Sequence, residues 1–136
     1  MLTSDRILRT RRSYHASQVL LSAVELGVFT ELGKGPRTAH QLCRSLGLSE
    51  RIAPQWLDAL VALGFLDRDG TGDSAIYLNT REASYFLDRR SPAYMGAALE
   101  DAGRQIFVDW DHLMAALRTG DDPGAWAERS TGLERL

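Results

Sequence analysis

With 136 residues, 44% of them apolar and 25% charged, the chain can bury one core of its own and reads as a single soluble globular domain. A formal net charge of -2 leaves no surplus of cations for neutralising phosphates, which weighs against nucleic acid as the main partner. The one cysteine, Cys43, excludes an internal disulfide and a thiolate cluster and fits a reducing, cytoplasmic setting; no signal peptide and no apolar run of about 18 residues is present.

Over residues 5–31, Ile7, Leu8, Val19, Leu20, Ala23 and Val24 recur at near-helical spacing, and no glycine or proline intervenes before Gly27. This predicts one long helix with its weak point at Gly27. The helix starts with Arg6, Arg9, Arg11 and Arg12 against a single Asp5, and positive charge there opposes the helix macrodipole. Such a cluster is either a solvated helix start or a contact for an anionic partner or a second subunit. The helix is longer than a small core needs, so part of its apolar stripe is expected to pack against another chain.

A loop follows at residues 33–36. Thr38 with Gln41 matches a capping box, opening a short helix that turns Leu42, Cys43 and Leu46 inward and stops at Gly47. Ser49 is a candidate cap for the next helix, with Ile52, Trp56, Leu57, Leu60 and Leu63 inward, Pro54 near its start and Gly64 at its end. Residues 65–68 and 75–78 read as strands around a turn at 69–73, a hairpin. Helix, tight turn, helix, hairpin is the order of a winged helix.

Thr80 caps a short helix through Leu87. The Ser91-Pro92 pair predicts the start of a last long helix, ending near Gly120 and carrying Tyr94, Met95, Ala98, Leu99, Ile106, Trp110, Leu113, Met114 and Leu117 as its apolar stripe. Residues 121–136 are polar and read as a linker. The expected fold is mainly α: a winged-helix-like domain over residues 1–120, with a small β-hairpin wing and long first and last helices that form a dimer.

Several segments, in order, resemble the start of S-adenosylmethionine-dependent small-molecule O-methyltransferases of the caffeate and bacterial polyketide type. They are Ala23-Val24-Glu25-Leu26-Gly27-Val28-Phe29, then Leu57 to Leu66, then Tyr77-Leu78-Asn79-Thr80 with Phe86-Leu87-Asp88, and last Trp110 to Gly120. The resemblance implies a dimerisation domain that helps shape an acceptor pocket, with S-adenosylmethionine held by a Rossmann-like domain that would follow and is absent here. It implies a homodimer through the first and last helices, with Val19, Leu20, Ala23, Val24, Leu99 and Ile106 as interface residues. It also implies that the start of the first helix reaches the partner's substrate, through Arg12 or Tyr14, and that Phe107 and Trp110 wall a pocket for a flat aromatic acceptor.

The residues themselves suggest no catalytic, cofactor-binding or metal site. Gly70-Thr71-Gly72, the one G-x-G, sits between strands rather than before a helix and so reads as a hairpin turn. His15, His40 and His112 read as solvated polar residues outside any metal-ligand pattern, and no serine lies in a nucleophile elbow. A stand-alone winged-helix regulator or ligand sensor is the rival reading. Against it, the candidate recognition helix sets Arg51 and Gln55 against Glu50 and Asp58, and the wing sets Asp67, Asp69 and Asp73 against Arg68, which repels phosphate. A non-catalytic subunit of a split methyltransferase would carry the same sequence features as the preferred reading.

Overall fold

The long first helix breaks at Gly27. Helix α1 (Asp5–Leu26) ends there and α2 (Val28–Leu32) begins, because Gly27 takes φ +80°, a conformation that side-chain-bearing residues avoid. Its N–H donates back to the carbonyls of Ala23 and Val24, and its own carbonyl accepts from the Glu31 N–H. The computed structural model describes residues 1–121, without the side chains of residues 105–111. It divides into a first unit over residues 1–100, which holds the core, and a second that begins at Asp101.

That core is built from Val28 and Phe29 of α2, Leu42 of α3 (Ala39–Leu46), Leu57 and Leu60 of α4 (Ala53–Ala62), and Leu66, all fully buried. Each such side chain contributes about 1.5–3 kcal/mol by leaving water. Val19 and Leu20 of α1, with Trp56 and Leu99, pack against it. A 2.9 Å hydrogen bond from Trp56 Nε1 to Ser22 Oγ ties α4 to α1.

The predicted capping box is present. Thr38 Oγ1 accepts from the Gln41 N–H at 3.2 Å, Gln41 Oε1 accepts from the Thr38 N–H at 2.9 Å, and Gly47 closes α3 with φ +68°. Ser49 does not cap α4. Its carbonyl accepts from the N–H groups of Ile52 and Ala53, making a turn, and the helix starts at Ala53, where the missing N–H of Pro54 leaves no bond unmade. Ile52 and Leu63, expected to face inward, flank this shorter helix and are exposed.

The hairpin strands are β2 (Leu66–Asp69) and β3 (Ile76–Asn79), one residue later than predicted, with a tight 3-10 turn at Gly72–Ser74 between them. A strand absent from the prediction, β1 (Arg37–Thr38), pairs antiparallel with the other edge of β3, Arg37 opposite Tyr77 and Thr38 opposite Ile76. The sheet order is therefore β1-β3-β2.

Thr80 caps α5 (Arg81–Phe86) as expected, its Oγ1 accepting from the Ala83 N–H. The last helix, α6 (Gly96–Thr119), starts at Gly96 rather than at Ser91. Ser91 is held in a turn instead: its Oγ donates to the Tyr85 carbonyl at 2.6 Å and accepts from the Ala93 N–H at 3.2 Å. The result is a mainly helical domain with a small antiparallel sheet, consistent with the winged-helix-like expectation. Among the described residues, no helix is long and apolar enough to cross a membrane.

Candidate dimerisation surface

Residues 5–15 of α1 are all exposed except Leu8, which is half-buried. At 1.5 Å per residue this is about 16 Å of helix with little packed against it. Isolated helices of that length are marginal in water. The arm is further disfavoured by the four arginines at its positive end. Yet it is not wholly polar: Ile7 is 72% exposed and Tyr14 is 44% exposed. Seven residues apart, they share one face. Tyr14 Oη accepts a 3.2 Å hydrogen bond from Gln18 Nε2 on the next turn. Arg12 is also exposed, and with Asp5, Leu8 and Arg9 it borders a shallow depression of about 240 Å³. Covering this face with a second surface would bury apolar area and support the helix.

The residues expected at the interface divide into three groups. Ala23 and Val24 are 0% and 2% exposed, and their side chains fill the chain's own core. Val19, Leu20 and Leu99 are half-buried against that core, with some surface still open. Ile106, Phe107 and Trp110 lie on α6, but their side chains fall outside the described residues. Arg12 and Tyr14 are thus on the exposed arm. The predicted linker also lies almost wholly outside the described residues.

A separate polar cleft of about 540 Å³ opens between α3, α4 and the hairpin, lined by His40, Cys43, Glu50, Asp58, Arg68 and Tyr77 among others. Sequence reading passed over the three-residue spacing of His40 and Cys43, which sets both on one face of α3. His40 is exposed and its Nδ1 pairs with Glu50 Oε1, so it is not simply solvated. Tyr77 Oη donates to Asp58 Oδ1 at 2.8 Å, and Arg68 Nη1 donates to the same oxygen at 2.9 Å.

Burial and the Asp58 hydrogen bond push the Tyr77 phenol up to about 12, and burial followed by the Glu50 charge pushes the Cys43 thiol up. Both groups therefore stay protonated near neutrality, and neither is poised as a base or nucleophile. Among the described residues, no group of three or more His, Cys, Asp or Glu side chains could hold a metal ion. His112 also departs from the solvated expectation, since its Nδ1 is buried and has no hydrogen-bond partner among the described residues.

The described residues thus form a small helical domain with a minor sheet and leave a helical arm uncovered. The comparisons with known proteins agree. The model of the O-methyltransferase dimerisation domain matches residues 8–89, and the chain belongs to that family. It is 42% identical over 115 residues to the tetracenomycin polyketide synthesis 8-O-methyl transferase TcmO of Streptomyces glaucescens, covering 85% of this chain and 33% of that protein. It is 36% identical over 122 residues to the N,N-dimethyltransferase OxyT of Streptomyces rimosus, covering 90% of this chain and 34% of that protein. The crystal structure of human N-acetylserotonin methyltransferase in complex with SAM superposes with a TM-score of 0.79 at 32% identity, over 88% of this chain and 36% of the human one. The chain thus spans about a third of the length of these relatives.

Proposed function

We propose that this dimerisation domain joins two copies of itself through the α1 arm and the exposed faces beside it, within an S-adenosylmethionine-dependent small-molecule methyltransferase. The observation that carries the reading is the arm: residues 5–15 stand uncovered, with Ile7 and Tyr14 turned outward on one face. Two copies related by a two-fold axis would each present the same stripe, which makes the surface self-complementary. Val19, Leu20, Leu99 and Ile106 would extend that contact. Arg12 and Tyr14 would reach the partner's acceptor pocket, with Phe107 and Trp110 as walls against a flat aromatic acceptor. The acidic wing, with Asp67, Asp69 and Asp73 all exposed, favours this reading over a DNA-binding regulator.

A glycine pair that could suggest a cofactor loop is part of the wing. Gly70 and Gly72 lie in the hairpin, where a strand rather than a helix follows, so no helix N-terminus and glycine loop face a ligand together. In the complete enzyme the cofactor would belong to another domain, and this domain would supply subunit pairing and part of the acceptor wall in a cytoplasmic setting. The relatives include both an O-methyl and an N,N-dimethyl transferase, so the acceptor atom is not set by this domain's likeness to them. Sedimentation equilibrium of the chain tests the pairing. A concentration-dependent dimer that is lost when residues 2–14 are removed supports it, and a monomer at every concentration overturns it.

A further inference from the structure

Arg89, in the segment between α5 and α6, makes contacts that no local spacing announces. Its Nη2 donates to the carbonyls of Val24 at 3.2 Å and Glu25 at 3.1 Å, and to Glu100 Oε1 at 3.0 Å. Its backbone N–H donates to Thr30 Oγ1 at 3.0 Å. Val24 and Glu25 lie in the last turn of α1, where carbonyls lack the usual bond four residues on and the macrodipole is negative; the Val24 carbonyl also accepts from the Gly27 N–H. That turn has no basic residue of its own. Helix α1 therefore has its charge reversed, with arginines at the start and Glu25 near the end, and Arg89 brings the missing cation to the end. Gly27 leaves the room: a Cβ there would stand 3.1 Å from Arg89 Nη1.

We propose that Arg89 is a positioning residue for dimerisation, capping α1 and tying its end to the start of α6 so that the arm leaves the core in one direction. This rests on the homodimer reading above. The reason is leverage. From residue 26 to residue 7 the helix is about 28 Å long, so a tilt of about 10° at its end displaces Ile7 by about 5 Å. A displacement of that size takes a side chain out of register with a symmetric partner. One guanidinium nitrogen, Nη2, meets two carbonyls and a carboxylate at once, so the planar group links the end of α1 to Glu100 and resists that tilt.

The test uses Arg89→Met, which keeps much of the side chain's bulk without its charge, and Glu100→Gln, which keeps the α1 cap and weakens only the tie to α6. Dimer affinity is read by sedimentation equilibrium, fold stability by thermal melting, and helix order by hydrogen exchange of the α1 amides. Arg89→Met is expected to weaken the dimer by about tenfold, to speed exchange in α1, and to lower the melting midpoint only slightly. Glu100→Gln is expected to weaken the dimer by about threefold without altering α1 exchange. An unchanged dimer affinity in Arg89→Met, with the wild type dimeric, overturns the positioning role while leaving the homodimer reading intact. A monomeric wild type removes both. Should Arg89→Met not fold, Glu100→Gln decides, and an unchanged affinity in it overturns the proposal.

Discussion

Replacing Ile7 by alanine isolates the contribution of the arm to pairing. Ile7 is 72% exposed in the single chain, so nearly three-quarters of its surface remains for a partner to cover. Full burial of an isoleucine side chain is worth about 1.5–3 kcal/mol, which scales to about 1–2 kcal/mol for the exposed part. Two-fold symmetry counts the loss twice, giving about 2–4 kcal/mol per dimer, or about 30- to 1000-fold in the dissociation constant. Alanine is the better helix former, so the substitution does not weaken α1 in the monomer. Circular dichroism should therefore be unchanged while sedimentation equilibrium reports the weaker dimer. A dissociation constant within a factor of about three of the wild type, at unchanged helicity, would refute the argument that this face of the arm is covered by a second copy.

Three further outcomes follow from the fold. Gly27→Ala places a side chain at φ +80° and against Arg89, and should lower stability by about 1–2 kcal/mol in thermal or urea unfolding. Tyr77→Phe removes the hydroxyl that donates to Asp58 and should cost about 1 kcal/mol near neutrality. Because the folded phenol is raised from 10.0 to about 12, the wild type should lose stability as pH rises across that interval, and the phenylalanine variant should lack this loss. Asp88 is held below its ordinary value of 3.8, first by its hydrogen bond with Arg90. Its contribution is therefore whole at neutral pH, begins to fall as pH drops to that value, and is gone below the depressed folded value. Asp88→Asn should cost no more than about 1 kcal/mol at neutrality, since Arg90 is half exposed, and the gap to wild type in acid melts should close through that window.

The elements whose causes lie within a few residues were legible from the chain alone. Thr38 with Gln41, Thr80, Gly27, Gly47 and Gly120 act on N–H and carbonyl groups no more than about four positions away, so spacing reveals them. The uncovered arm was legible too, as a helix longer than a core requires. The same local signals at Ser49 and Ser91 misled, because partners elsewhere claimed those residues: Ser91 Oγ is bound to the Tyr85 carbonyl, and the Ser49 carbonyl serves a turn.

Helix order, the caps at Thr38 and Thr80, the hairpin and the polar wing were thus determined by the sequence itself, through backbone propensity and the periodic placement of apolar side chains. Tertiary structure alone decided the rest. Strand β1 is two residues long and exists because β3 offers it an open edge. Ala23 and Val24 are buried in the chain's own core, in one cluster with side chains of α2 and α4. Arg89 meets carbonyls 64 and 65 residues away. No periodicity links groups so far apart in the chain; only the folded backbone brings a cation to the end of a helix that lacks one.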